Sequence, residues 1–223
     1  MAGIEERVRG VLGAIPPRVT VVAAAKTRTP DEVRAALAGG IRAVGENYVQ
    51  EAAAAQAVVG RAAAEWHLIG SLQRNKAKDA VRLFDLIQTV DSLRLAEKLD
   101  LEARKIARTL PVLVEVNSGR EAQKSGVLPE DVEDLVREIA GLPSLEIRGL
   151  MTMGPASAES EALRPPFAET RRRFEALTRL AIPNVRMAIL SMGMSDSYRV
   201  AIEEGATMVR LGTVLFGPRR EQE

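Results

Sequence analysis

"RVTVVAAAKTRTPDEVRAALAGG", residues 18–40, contains the unit from which the fold is read. Its first part is β-branched and then small, the composition of a strand buried on both faces. Its second part opens on a capping box. Thr29 caps, Pro30 suits the first helical position, Glu32 reaches back, and Gly39 or Gly40 ends the helix. Lys26 stands between the two parts, after five small or aliphatic residues. A core has no use for an ammonium group, and a solvated lysine needs no such approach. Lys26 therefore marks either a strand end at a polar rim or an amine that is used.

The same strand-then-helix unit recurs along the chain. Strand-like runs are "IRAVGEN" (41–47), "EWHLIG" (65–70), "LIQTV" (86–90), "PVLVEVN" (111–117), "LEIRGLM" (145–151), "VRMAILSMG" (185–193) and "TMVRLGTVLFG" (207–217). Helical patterns separate them, the clearest in "PEDVEDLVREIAGL" (129–142), where Val132, Leu135, Val136 and Ile139 keep the i, i+3, i+4, i+7 rule. Strict alternation indicates a parallel sheet, and eight strands in 223 residues suit a closed (β/α)8 barrel, the TIM barrel of the α/β class. A single domain over residues 1–223 is expected. The opening helix, roughly residues 3–13, is expected to cover the gap beside the last strand, since no helix is read after it. The stretch "GPASAESEALRPP" (154–166) is the longest irregular segment and the candidate mobile loop.

Composition narrows the function. With 31 basic and 30 acidic residues the net charge is +1, so no global field draws nucleic acid or an anionic membrane. The absence of cysteine removes disulfides, thiolate metal sites and thiol nucleophiles, and the single histidine, His67, excludes a histidine-rich metal cage. No long apolar run suggests a membrane span, and charges run through the first fifteen residues, so a cytoplasmic protein is expected.

In a parallel barrel, function gathers at the C-terminal ends of the strands. Lys26 and Thr27, "GEN" (45–47), "IGSLQRNK" (69–76), Asn117 and Ser118, "MTM" (151–153), "SMGMS" (191–195) and "LGT" (211–213) all fall there. "SMGMSDS" supplies a glycine for close backbone approach and Ser195 at a helix start, the parts of a phosphate site. Gly212 and Thr213 add amides and a hydroxyl. A lysine lodged among apolar residues loses part of the solvation that favours its ammonium form, and a neutral amine attacks aldehydes. A phosphate cradle opposite such a lysine points to a phosphorylated aldehyde cofactor, pyridoxal 5′-phosphate.

The ordered set "AAAKT", "GENYVQEA", "WHLIGSLQRNK", "VNSGREAQKSG", "RGLMTM", "SMGMS" and "MVRLGTVLFG" resembles the pyridoxal phosphate homeostasis protein family, in blocks from about residue 19 to 219. The resemblance implies a barrel similar to that of alanine racemase, pyridoxal phosphate held as a Schiff base on Lys26, and a role in cofactor supply without robust catalysis. It also implies that Ser191, Met194, Ser195, Gly212 and Thr213 hold the phosphate. Asn47 would lie beside the pyridine ring and Arg210 would meet the ring nitrogen. Partners would be the cofactor, free amino acids or apoenzymes that use it, and the protein would be a monomer. The alternative is a weak amino-acid racemase. Racemases draw a second acid/base tyrosine from another domain, and neither Tyr48 nor Tyr198 sits in a matching motif. The chain departs from the family pattern at Ser197 and Arg199, where acidic residues are common.

Other features have plainer readings. His67 beside Trp66 is expected to be a hydrogen-bonded core histidine, and "RRR" (171–173) a solvated helix face. Met151, Met153, Met192 and Met194 are gap filler. "LQRNK" (72–76) suits a helix start or a partner contact equally well.

Overall fold

Strand and helix propensities alternate along the chain, and so do the elements. In the computed structural model, which describes residues 3–154 and 159–218, helix α1 (Ile4–Ala14) precedes strand β1 (Thr20–Ala24). There follow α2 (Pro30–Ala38), β2 (Ala43–Glu46), α3 (Val49–Val59), β3 (Glu65–Leu68), α4 (Ala77–Leu83), β4 (Leu86–Val90) and α5 (Leu93–Arg104). The second half runs β5 (Leu110–Glu115), α6 (Val132–Ala140), β6 (Leu145–Thr152), α7 (Arg164–Arg179), β7 (Val185–Met192), α8 (Tyr198–Glu203), β8 (Met208–Leu211) and α9 (Thr213–Phe216). The strands pair in parallel in sequence order, and β1 pairs back on β8 to close the barrel. The fold is the (β/α)8 barrel that the alternation predicts.

Because successive strand residues face opposite sides, each strand serves two cores. Outward residues such as Val21, Ala23, Val44, Trp66, Ile87, Val112, Leu150 and Val209 pack with the helices in one continuous apolar layer. Inward, Val22, Ala43, Leu86, Leu113, Met151 and Met208 fill the barrel itself. The α2 start carries the expected capping box. Glu32 N donates to Thr29 Oγ1 at 3.2 Å, and Thr29 N donates to Glu32 Oε2 at 2.8 Å.

Two expectations change. The segment 207–217 is not strand throughout. It leaves β8 after Leu211 and turns into α9, and α1 packs between α2 and α9. Arg7 Nε and Nη2 donate to the carbonyls of Leu215 and Phe216 at 3.0 and 2.9 Å, so α1 covers the gap beside β8 by satisfying the end of α9. The polar stretch 154–166 is also shorter as a loop than its composition suggests. Ser160–Leu163 form a 3₁₀ turn and α7 starts at Arg164, with its prolines in the first turn, where a missing N–H costs nothing. The mobility expected there falls partly on residues 155–158, which lie outside the described residues. Among the described residues, no helix is long and apolar enough to cross a membrane.

Candidate functional site

At the C-terminal mouth a cavity of about 310 Å³ is lined by Ala24, Lys26, Arg28, Asn47, Ile69, Met153, Met194, Ser195, Asp196, Arg210, Gly212 and Thr213. Lys26 lies two residues beyond Ala24 and four beyond Val22, so it continues the inward row of β1. It is half-buried rather than enclosed, and its Nζ lies 5.5 Å from the ring centroid of Tyr48. Tyr48 is thus brought to the site, although its motif gave no reason to place it there. The next residue, Thr27, has φ of 64°, a conformation rare for a β-branched side chain. It is held by the turn in which Arg28 N donates to Ala25 O at 2.8 Å. The Arg28 side chain is anchored in turn by Gly217 O at 2.6 Å and by the face of Phe216. The β1 exit is therefore tied to the chain beyond β8.

The opposite wall comes from the β7 and β8 loops. Gly193 has φ of 92°, and a Cβ there would meet Ala201 Cβ at 2.5 Å, so only glycine lets the β7 loop pack on α8. Ser195 Oγ accepts from Gly212 N at 3.1 Å and Val214 N at 3.4 Å, which joins this loop to the start of α9. Met194 N donates to Ser197 Oγ at 3.1 Å. Hence Ser197 occupies a structural position in the loop. Asn47 is placed by the β3 exit: a Cβ on Gly70 would stand 2.4 Å from Asn47 O.

The structure brings Lys26, Asn47, Met194, Ser195, Arg210, Gly212 and Thr213 to one cavity, and leaves Ser191 out of its lining. Ser191 is fully buried beneath it. Its hydroxyl accepts from Arg210 Nη1 at 2.6 Å and donates to Gln88 Oε1 at 2.7 Å. Its hydroxyl thus supports Arg210. Arg210 Nη2 donates to Thr152 O at 2.9 Å. Burial pushes the Arg210 guanidinium down to about 10, offset by the negative charge of Glu115, so it remains cationic at neutral pH.

Two carboxyls near the mouth, at the ends of β2 and β5, have raised proton affinities. Glu115, inward on β5, is pushed up to about 7 by burial and by Asp91, with Arg210 opposing. Glu46 ends β2 and faces outward into a second cavity of about 280 Å³ with Thr27, Arg28 and Glu51; burial, then Glu51, raises it to about 8. Both carry a buried carboxylate oxygen without a hydrogen-bond partner. Their sequence signal was an acidic residue at the end of an otherwise apolar strand. Arg28, Ile69 and Asp196 also line the cavity unforeseen, and only their position in the strand-end loops hinted at it.

The donor set suits a phosphorylated aromatic aldehyde. Lys26, Arg28 and Arg210 supply cations against the single carboxylate of Asp196, while Ala24, Ile69 and Met153 offer apolar contact for a ring. Gly212 leaves the cradle open, because a Cβ there would find only ordinary contacts, the nearest being Ala24 O at 3.6 Å.

Comparison with known proteins places the chain in a family. Residues 3–220 match the family described as alanine racemase, N-terminal domain. A pyridoxal phosphate homeostasis protein of Pseudomonas aeruginosa is 41% identical over 207 residues, covering 93% of this chain and 87% of that one. The structure of PipY from Synechococcus elongatus with pyridoxal phosphate bound is 37% identical at a TM-score of 0.88, covering 96% of this chain and all of that one (100%). An alanine racemase of Clostridium difficile, 15% identical with a TM-score of 0.83 and covering 99% of this chain but 58% of the racemase, shares the fold alone.

Proposed function

This chain belongs to the alanine racemase N-terminal domain family and, within it, to the pyridoxal phosphate homeostasis proteins, and from that premise we propose that it binds pyridoxal phosphate in the barrel mouth and serves intracellular supply of the cofactor. The observation that carries the reading is the convergence of Lys26, Arg210 and the Ser195–Gly212 junction on one cavity. Bound there, the cofactor supplies an aldehyde that a primary amine captures covalently. Lys26 would be that amine, half-buried in the mouth beside Tyr48. Gly212, Thr213, Met194 and Ser195 receive the phosphate through amides and hydroxyls, as loops after strands seven and eight commonly do in barrels. Asn47 would hold the ring from the side. Arg210, cationic and fixed by Ser191 and Thr152, would stand against the ring nitrogen and disfavour a proton there, which would suit storage and exchange better than carbanion chemistry. The barrel acts as one cytoplasmic, monomeric unit, and its exchange partners are amino acids and apoenzymes that need the cofactor. Lys26→Ala tests the reading. The wild type is expected to hold a visible band after desalting, and the variant to lose it. Full retention of the band by the variant would refute the assignment.

A further inference from the structure

The guanidinium of Arg210 can only donate, and the hydrogen bonds behind it run in one consistent direction. Ser191 Oγ, 2.6 Å from Arg210 Nη1, must accept there. Its own proton then goes to Gln88 Oε1 at 2.7 Å. With its oxygen so engaged, Gln88 presents Nε2 to His67 Nδ1 at 2.9 Å. That nitrogen carries protons and has no lone pair to offer, so His67 Nδ1 accepts and the ring proton sits on Nε2. Nε2 faces Glu65 Oε1 at 3.2 Å, close but not aligned for a hydrogen bond. His67, Gln88 and Ser191 are fully buried, whereas the Glu65 side chain is 58% exposed at the N-terminal end of β3. One directed line therefore crosses the barrel from the mouth to the opposite end, through β8, β7, β4 and β3.

We propose that His67 is a positioning residue for the mouth: its Nδ1 lone pair orients Gln88, Gln88 orients Ser191, and Ser191 holds the Arg210 guanidinium against the cavity. The only other contact of Gln88 Nε2 among the described residues is Met208 Sδ at 3.2 Å, a weak acceptor. The charged groups at the two ends are Glu65 beside His67, with Asp85 and Arg148 acting on Glu65 in turn, and Glu115 near Arg210. Without an acceptor at position 67, the Gln88 amide is free to turn over. Ser191 then loses the oxygen to which it donates, and Arg210 keeps only the Thr152 carbonyl as a fixed acceptor. The functional consequence rests on the cofactor reading above, but the order of the hydrogen bonds does not.

The test compares His67→Leu, which removes the acceptor, with His67→Asn, whose Oδ1 replaces Nδ1. His67→Leu is expected to weaken pyridoxal phosphate binding about tenfold and to move the visible band, and His67→Asn to restore both to within about twofold. Wild-type affinity and band in His67→Leu would overturn the proposal, as would equal losses in both variants. A second measurement needs no cofactor. Nitrogen-15 NMR of the free protein should show His67 as the Nε2–H tautomer alone, and Ser191→Ala should turn that single state into a mixture. An Nδ1–H ring, or signals unmoved by Ser191→Ala, would overturn it too. A wild-type protein that takes up no pyridoxal phosphate removes the proposed function, and the tautomer measurement then decides this inference alone.

Discussion

Inside the barrel, neighbouring inward positions of the same strands behave differently. Leu86 and Gln88 on β4, Leu113 and Glu115 on β5, Ile189 and Ser191 on β7, and Met208 and Arg210 on β8 repeat one step: apolar first, polar two residues nearer the mouth. The apolar positions need only be filled, because dispersion and burial have no direction. The polar positions need particular atoms in place, because Gln88, Ser191 and Arg210 are each satisfied by a partner on another strand. A barrel floor of the first kind can rest under many sites. A layer of the second kind suits a mouth that holds charge.

Arg210→Met should break that contrast most severely. It removes a buried cation from Ser191, the Thr152 carbonyl and Glu115, and denaturant unfolding of the free protein should show a loss of about 3–5 kcal/mol. Substitutions that keep the approximate size sharpen the comparison. Gln88→Leu should cost about 1–3 kcal/mol, because it strands the Ser191 hydroxyl. Leu113→Met, one position from the polar layer but below it, should cost less than about 1.5 kcal/mol. Equal costs for the two would erase the distinction between the layers.

The last comparison concerns a buried carboxyl outside the barrel wall. Glu46 ionises about pH 8 in the fold against an ordinary value of 4.5. The folded state therefore binds its proton more tightly than the unfolded one. Its contribution is complete below pH 4.5 and is lost progressively as pH rises to about 8. Glu46→Gln should leave Tm unchanged at the acid end and raise it by roughly 2–4 °C near the alkaline end, for each kcal/mol recovered. A wild-type Tm flat across that interval would contradict the assignment of burial as the cause.

What could be read beforehand divides along the same line as the two layers. The barrel followed from local signals, such as the capping box at Thr29 and Glu32 and the apolar period of α6, each complete within one segment. Lys26, Asn47, Ser195, Arg210 and Gly212 were legible as neighbours because strand ends in a parallel barrel meet by topology. Ser191, Gln88 and His67 were not legible as a chain. Each is a single polar residue in an apolar strand, and their partnership exists only once β3, β4, β7 and β8 face one another. The short helix α9 was hidden for a related reason. "GTVLFG" reads as strand by composition, and its helical turn is fixed by the bonds of its ends to Ser195 and Arg7. The motif around Tyr48 gives no sign of a site residue, although the turn into α3 sets its ring over Lys26.

The central claim is that Lys26 is the amine that captures the aldehyde. Borohydride reduction of the protein loaded with pyridoxal phosphate, followed by peptide mass mapping, tests it directly. The account predicts loss of the visible band and one stable adduct, on the peptide that carries Lys26. A reduced adduct confined to any other lysine would contradict it.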